Sequence, residues 1–261
     1  MTGSEVPTPF RLAYVPGVTP TKWVRVWNER LPDVPLTLIA VSAADAPDVL
    51  RAGEADAGLV RLPIERTDLS AIPLYAETTV VVVPKDHDVA GVDEVAAEDL
   101  ADAVVLHPLD DTLEWEQRPG VPAKERPATT ADAVELVAAG VGLLVVPQSL
   151  ARLHHRRDLT YRPVTDAPES RVALSWPEAR TTDLVEEFIG IVRGRTVNSS
   201  RGRTPPQPQQ SKSGAKAKSQ RPDASGARRK PGAAGGSAGK GARGGPGATK
   251  GAKRGKPRGR S

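Results

Sequence analysis

Small polar residues stand at the starts of three predicted helices, where they could bind a ligand. A helix N-terminus offers unpaired backbone N–H groups and the positive end of the helix dipole, and a hydroxyl adds a neutral donor. This pattern favours a small anionic guest, above all a carboxylate. The alternative is that the hydroxyls only cap their helices, which is the commoner use of such residues. The residues in these positions are Gly17, Thr19, Thr21, Ser42, Thr129 and Thr130.

Histidines and acidic residues add little further chemistry. His107 ends a predicted strand and could face the same ligand, although an ordinary surface histidine is the alternative. His154 and His155 adjoin Arg156 and Arg157, which is typical of a solvated basic turn rather than a metal site. Another group of acids could hold a metal, but a charged loop is the simpler interpretation. These acids are Asp110, Asp111, Glu114 and Glu116.

Motifs for covalent or phosphate chemistry do not occur in the sequence. The 261 residues include no cysteine, no nucleophile motif of the GxSxG type and no Gly-rich loop that follows a strand. We therefore expect no catalytic residue, no metal and no cofactor, and we predict that the protein is not an enzyme.

The elements that would position the polar residues alternate along the first part of the chain. Strands are predicted at 10–15, 35–41 and 57–62, and helices at about 19–31 and 42–53 lie between them. This β-α-β-α-β order implies a parallel sheet with helices on both faces.

A second set of elements follows a long extended run at 74–84, which would cross from one lobe to another. Within this set, Ala131–Ser149 changes from a helical period to the wholly apolar strand Leu143–Val146, and Gly140 would end the helix. An extended return at 159–164 makes a second crossing, so a hinge and a cleft are expected. The other predictions are a short helix at 95–100, a strand at 104–107, an irregular stretch at 108–127, a helix at 148–155, a strand at 171–176 and a closing helix at 182–192.

The charge of the chain divides sharply near Val197. Residues 198–261 carry seventeen Lys and Arg against Asp223 alone, a net +16, whereas residues 1–197 carry a net −12. The basic segment is rich in glycine and proline and its only apolar residues are alanines, so it cannot bury enough surface to fold and is expected to be disordered. Such a tail binds polyanions without sequence preference. The alternatives are a solubilising tail or one that folds back on the acidic part.

Targeting signals are not evident in the sequence. The start, MTGSEVPTPF, lacks a basic region and an apolar core, and the longest apolar run, Val137–Pro147, is shorter than the ~20 residues that a membrane helix needs. We expect a cytoplasmic protein without a membrane partner.

Five segments resemble the effector-binding domain of LysR-type transcriptional regulators, in the same order and spacing. They are FRLAYVPGVTP, NERLPDVPLTL, DVLRAGEADAGLVR, LYAETTVVVVPKDHDVA and ELVAAGVGLLVVPQSLAR. The resemblance implies a two-lobed α/β fold of the periplasmic-binding-protein type (type 2), with hinge crossings, a small-molecule effector in the cleft and association as dimers. Residues 108–127 fit the family poorly.

The resemblance also implies domain boundaries. We expect a disordered lead at 1–9, an effector-binding domain at 10–197 and the disordered tail at 198–261; lobe I would take about 10–83 and 165–197, and lobe II about 84–164. Only nine residues precede the domain, whereas the family has a winged helix-turn-helix there, so we expect this chain to lack its own.

Two hypotheses on function remain open. The first is a sensor of a small anionic metabolite that acts through a homodimer or a partner regulator. The second is a nucleoid-associated protein whose tail binds DNA or RNA while the folded domain dimerises. The tail residues expected to contact nucleic acid are Arg228, Arg229, Lys230, Lys253, Arg254, Lys256, Arg258 and Arg260.

Overall fold

The alternation of apolar strands and amphipathic helices produces two five-stranded sheets in a computed structural model, which describes residues 8–195. The strands are β1 (Phe10–Tyr14), β2 (Leu36–Ala40), β3 (Ala57–Leu62), β4 (Leu69–Glu77), β5 (Thr79–Pro84), β6 (Val104–Leu106), β7 (Val121–Pro122), β8 (Leu143–Pro147), β9 (Leu159–Pro163) and β10 (Ser170–Pro177). The helices are α1 (Thr21–Arg30), α2 (Ala46–Ala52), α3 (Thr130–Ala138), α4 (Gln148–Leu153) and α5 (Asp183–Val192). The expectations for the disordered lead and for the basic tail, with its eight named arginines and lysines, lie outside the described residues.

The first lobe is built on the sheet β2-β1-β3-β10-β4. Strand β1 pairs in parallel with β2 and β3, as the β-α-β-α-β order predicts. The sheet is nevertheless mixed, because β10 pairs antiparallel with both β3 and β4. The parallel arrangement predicted from the first three strands is confirmed for those strands, and the antiparallel pairs arise because the chain leaves this lobe through β4 and returns through β10 in the opposite direction.

Three aromatic rings hold helices α1 and α5 against the first sheet. Phe10, Trp27 and Phe188 are at most 1% exposed. The centroids of Phe10 and Trp27 lie 4.5 Å apart, and that of Phe188 lies 5.4 Å from Phe10 and 5.8 Å from Trp27. Trp27 also donates from Nε1 to the carbonyl of Val34 at 2.9 Å. This cluster fixes the start of β1 and therefore the loop that follows it.

The second lobe is built on the sheet β7-β6-β8-β5-β9 and carries α3 and α4. The predicted change from helix to buried strand is confirmed, since α3 is followed by β8 and every residue of β8 is buried. Gly140 has φ +73°, and a Cβ at Gly142 would lie 2.7 Å from the carbonyl of Val104. The two glycines thus allow the helix to end and the chain to enter the sheet close to β6.

The first crossing between the lobes lies at Thr78, between β4 and β5. The lobe boundary expected between 83 and 84 is therefore too late, because β5 already pairs with β8 and β9 on its two sides from Thr79 onward. The return falls between β9 and β10, where Val164 donates its N–H to the carbonyl of Thr79 at 3.0 Å. The two crossings are thus bonded to each other.

Two local predictions for the second lobe differ from the structure. The helix expected at 95–100 is a short 3-10 turn at Ala97–Leu100, because Val95 bridges to Val164 instead. The irregular stretch at 108–127 contains the two-residue strand β7. None of the helices within residues 8–195 is long and apolar enough to cross a membrane.

Candidate functional site

Two adjoining cavities open beside Gly17, where the first lobe faces the second. Together they form the cleft, and they share Gly17, Thr19, Ser149 and Arg152. The cationic cavity has a volume of about 620 Å³ and is lined by Gly17, Thr19, Thr21, Lys22, Trp23, Arg25, Tyr75, Glu77, Ser149 and Arg152. The apolar cavity has a volume of about 780 Å³ and is lined by Tyr14, Pro16, Gly17, Val18, Thr19, Ala40, Val41, Ser42, Ser149, Arg152 and Leu153.

Thr19 and Thr21 line the cleft and do not cap α1. The N-cap residue is Pro20, and no side chain donates to or accepts from the helix end there. The first turn of α1 must therefore satisfy its free N–H groups with solvent or a ligand. Of the two interpretations of these threonines, the helix cap does not apply.

Ser42 lines the apolar cavity but is also engaged in its own turn. Its Oγ donates to Asp45 Oδ2 at 2.6 Å and accepts from the Asp45 N–H at 3.0 Å. The N-cap position of α2 is taken by Asp45. Ser42 is thus positioned by the turn before α2 and faces the cleft from the first lobe.

Thr129 and Thr130 serve α3, and neither lines the cavities described above. Thr129 caps α3: its Oγ1 accepts from the Asp132 N–H at 3.1 Å, while the Asp132 carboxylate accepts from the Thr129 N–H at 3.1 Å. Thr130 is 3% exposed and donates to Asp110 Oδ1 at 2.9 Å. For these two residues the helix-cap and packing interpretation accounts for the side chains.

His107 lies in a different pocket, which we call the His107 pocket. This pocket has a volume of about 310 Å³, shares no residue with the cleft and is lined among others by Arg118, Gly120, Pro122, Glu125 and Arg126. The histidine is 7% exposed, so it is not an ordinary surface residue. Burial lowers the pKa of His107, and the positive charges of Arg118 and Arg126 lower it further, while a hydrogen bond to the Pro119 backbone opposes them.

The cleft floor consists of Arg61, Glu77, Ser149 and Ser170. Arg61 Nη1 donates to Glu77 Oε2 at 3.0 Å and to Ser170 Oγ at 2.7 Å, and Nη2 donates to Ser149 Oγ at 3.0 Å. Ser149 Oγ in turn donates to Glu77 Oε2 at 2.7 Å. The side chains of Arg61 and Glu77 are only 3% and 10% exposed. The buried charges therefore compensate each other, and Ser149 of α4 ties the second lobe to the pair.

Gly17 is required where the lobes approach most closely. Its φ is +84°, and a Cβ there would lie 2.4 Å from Ser149 Oγ and 3.0 Å from Arg61 Nη2. The Pro16 carbonyl beside it accepts from Arg61 Nη2 at 3.0 Å. A side chain at Gly17 would therefore push against the cleft floor.

The rim of the cationic cavity carries an excess of positive charge. Lys22, Arg25 and Arg152 line it, and its one acid, Glu77, is already paired with Arg61. Arg25 also approaches the exposed Glu29 at 3.6 Å, a contact that solvent screens strongly. An anionic group would therefore be attracted to this rim.

Aromatic side chains complete the cationic cavity. Lys22 Nζ lies 4.3 Å from the centre of the Trp23 ring. Burial raises the pKa of Tyr75, and so does the nearby charge of Glu77, although Arg61 opposes them, so its hydroxyl stays a neutral donor. The cavity thus offers flat apolar faces next to cations.

Sequence reasoning missed Arg61, Glu77, Ser149 and Arg152. One signal was available: Arg61 stands in the otherwise apolar strand AGLVRL, and a buried guanidinium needs a carboxylate nearby. Which carboxylate it meets could not be read from the pattern, since Glu77 lies at the end of another strand. Among residues 8–195, no group of three His, Asp or Glu side chains is arranged to hold a metal ion.

Comparisons with known proteins agree with this geometry. The sequence model of the LysR substrate binding domain matches residues 8–196. A probable hydrogen peroxide-inducible genes activator of Mycobacterium leprae is 32% identical over 204 residues, which cover 73% of this chain and 66% of the relative. A relative of the same description from Mycobacterium avium is 37% identical over 144 residues, which cover 52% of this chain and 46% of the relative. The chain thus spans 46% to 66% of the length of these two regulators.

Solved structures share the fold. The BenM effector-binding domain with its effector benzoate matches with a TM-score of 0.60 at 19% identity, covering 71% of this chain and 90% of that one. The reduced OxyR regulatory domain from Pseudomonas aeruginosa matches with a TM-score of 0.56 at 22% identity, covering 72% and 99%. These matches confirm the predicted two-lobed α/β class. Since the family's sequence model covers most of the chain, the chain belongs to the family of LysR substrate-binding domains, the effector-binding part of LysR-type transcriptional regulators.

Proposed function

We propose that the chain senses a small anionic metabolite in the cleft beside Gly17 and reports its presence to transcription. The observation that carries this proposal is the start of α1. There, Thr19 and Thr21 cap nothing and face a cavity together with Lys22, Arg25 and Arg152. Free helix N–H groups, hydroxyl donors and a local excess of cations together favour a carboxylate or another oxyanion.

The apolar cavity indicates what the rest of the ligand is like. Tyr14, Val18, Val41 and Leu153 line it, and it meets the cationic cavity at Gly17 and Thr19. Ligand pockets are commonly apolar with a few polar groups that fix orientation. A carboxylate with a hydrocarbon chain or a ring fits both halves better than a wholly polar anion.

Lobe closure is the proposed output. Ser149 and Arg152 come from α4 in the second lobe, whereas Gly17 and Thr19 belong to the first. A ligand that touches both lobes stabilises one arrangement of them only to the extent that it binds that arrangement better. Contact with DNA would come from another segment or from a partner.

Sensing by reversible binding fits the composition of the chain. Two of its relatives are described as hydrogen peroxide-inducible genes activators, but this chain contains no cysteine and its one methionine is Met1. Thiol oxidation within the chain therefore cannot be the signal. We further propose a cytoplasmic regulator that acts as a homodimer or with a partner regulator, and that is not an enzyme.

Thermal unfolding of the full chain against a panel of aliphatic and aromatic carboxylates tests the proposal. A true ligand at a hundredfold excess over its Kd should stabilise the fold by about 2.7 kcal/mol. Arg152→Gln should weaken that ligand about tenfold, because it removes a charged donor. Arg157→Gln removes an exposed arginine of the same lobe that lines no described cavity, and should change nothing. A flat response to the whole panel, or equal losses in both variants, would contradict the proposal.

A second candidate function rests on the basic segment, whose net charge of +16 favours loose nucleic-acid contact. Residues 198–261 would then bring the domain to DNA or RNA, with the nucleoid as its location. A mobility-shift titration across salt, with and without these residues, tests this. Binding that is equal for both forms, or absent from both, would remove the candidate.

A further inference from the structure

We infer that the His107 pocket is a second ligand site, separate from the cleft, and that it takes a small oxyanion such as sulfate, phosphate or a compact carboxylate. It shares no lining residue with the two cleft cavities. Its volume of about 310 Å³ suits a much smaller guest than theirs. The inference does not rest on the proposed sensing of a metabolite in the cleft.

The charge of the pocket is the first reason. Arg118 and Arg126 line it against one acid, Glu125. Within residues 8–195 neither arginine forms an ion pair, whereas Arg11, Arg51, Arg61 and Arg156 all do. Guanidinium groups match the planar and bidentate geometry of carboxylate and phosphate oxygens.

The second reason is that Arg126 is held in place by neutral acceptors. Its Nε donates to the carbonyl of His107 and its Nη2 to the carbonyl of Pro108, both at 2.7 Å. These bonds fix the guanidinium at the pocket without cancelling its charge. A positive group that is already positioned loses little entropy when an anion arrives.

The frame of the pocket is rigid as well. Strand β7 pairs with β6 through Val104 with Val121, and through Val105 with Pro122. Gly120 has φ +71°, and a Cβ there would lie 2.4 Å from Val105 Cγ2 and 2.6 Å from the Ala103 carbonyl. The loop that carries Arg118 is thus pressed against the sheet edge, so the site exists before a ligand binds.

His107 adds a hydrogen-bond donor to the site when a bound anion favours its protonated form. Its charged surroundings are Arg118, Arg126 and Glu125 on the pocket wall. Asp111, further along the loop, is also within reach of the charges of both arginines. Burial and the two arginines lower the pKa of the empty-pocket imidazole, while burial raises the pKa of Asp111. An oxyanion would offset both arginines and favour the imidazolium, which is a further donor. Binding should therefore tighten as the pH falls through the histidine range.

Proton NMR of the full chain, titrated with sodium sulfate at constant ionic strength, tests the inference. Sulfate keeps its charge across the titration range of histidine, so any pH dependence belongs to the protein. The chain has four histidines, and His107→Asn identifies the resonance of interest. Sulfate should raise the pKa of His107, and the resonances of His87, His154 and His155 should not respond to it.

Matched variants distinguish sulfate that binds in the His107 pocket from sulfate that is attracted only by the net positive charge of nearby arginines. Arg118→Gln should weaken sulfate about tenfold, since it removes one charged donor at the mouth of the pocket. Arg157→Gln removes the same charge from an exposed position elsewhere on the second lobe that lines no described cavity, and its His107 should respond to sulfate as the wild type does. Phosphate and acetate arms of the titration rank the oxyanions that the pocket accepts.

Two outcomes would overturn the inference. One is a pKa of His107 that stays unchanged up to the highest sulfate concentration of the titration. The other is an equal loss of sulfate binding in Arg118→Gln and Arg157→Gln, since the effect would then be one of net charge. The two sites are tested independently: a failure of the cleft to bind any carboxylate would not affect the inference on the His107 pocket. A failure of the pocket to bind sulfate would likewise not affect the proposal for the cleft.

Discussion

The cleft floor and the His107 pocket both contain arginines next to buried groups, but the arginine charge is paired with a carboxylate only in the floor. In the floor, the Arg61 guanidinium donates hydrogen bonds to a carboxylate, two hydroxyls and a carbonyl. In the pocket, Arg126 bonds only to neutral carbonyls. A guanidinium that is compensated by a carboxylate has no net charge left to attract a ligand, whereas one that is held by neutral acceptors keeps its charge. The same residue type is thus structural in one region and available for binding in the other.

The largest effect is expected from breaking the floor. Arg61→Met should lower the free energy of unfolding by about 4 kcal/mol, because it leaves Glu77 buried without its partner. Urea unfolding measures the loss. The control is Arg11→Met, which breaks a 2.7 Å pair whose side chains are 36% and 31% exposed and should cost less than about 1 kcal/mol.

Removing both charges of the buried pair should cost less stability than removing one of them. Arg61→Met combined with Glu77→Leu should recover part of the loss, since an apolar replacement of a buried pair is often close to neutral. Equal costs for Arg61→Met and Arg11→Met would mean that burial of the pair does not matter.

A smaller effect is expected from adding a methyl group in either region. Gly120→Ala should cost about 3 kcal/mol, since the new Cβ meets a backbone carbonyl and a packed valine. Gly17→Ala should cost about 2 kcal/mol, because Ser149 Oγ can move, though only by leaving the floor. Gly140→Ala has a positive φ and open space around it, so about 1 kcal/mol is expected. Denaturant midpoints in the reverse order would contradict this picture of the contacts.

The threonines separate capping from ligand binding at lower cost. Thr129→Ala should lower the free energy of unfolding by about 1 kcal/mol, because it removes the cap of α3. Thr21→Ala should leave stability within about 0.5 kcal/mol of the wild type but weaken a cleft ligand, since Thr21 caps nothing. Thermal unfolding with and without ligand reports both effects. A destabilised Thr21→Ala variant would assign that residue to the fold instead.

The smallest effect concerns pH. The folded-state pKa of His107 lies below its unfolded value, so the unfolded chain takes up a proton first as the pH falls. Stability should therefore decrease as the pH drops through the ordinary histidine range, and His107→Asn should flatten that slope. Urea midpoints measured in buffers free of sulfate and phosphate check this. An unchanged slope in the variant would show that the pocket does not hold the imidazole neutral.

Most of the fold could be predicted because its signals are local. Apolar periods mark the strands and helices, and Gly140 marks the end of α3 without reference to any distant residue. The direction of β10 could not be predicted, because it depends on where the chain re-enters the first lobe. The crossing at Thr78 was placed too late for a related reason, since TVVVVP looks the same in either sheet.

The local pattern of residue types was enough to identify groups that could contribute donors and charges, among them Gly17, Thr19, Thr21 and His107. How each group is used depends on its contacts with distant parts of the folded chain. Long-range contacts paired Arg61 with Glu77, turned Thr130 toward Asp110 and placed His107 in a pocket of its own. The residues around a hydroxyl or guanidinium in the sequence do not reveal whether its hydrogen-bond donors are paired, because its partners come from distant elements.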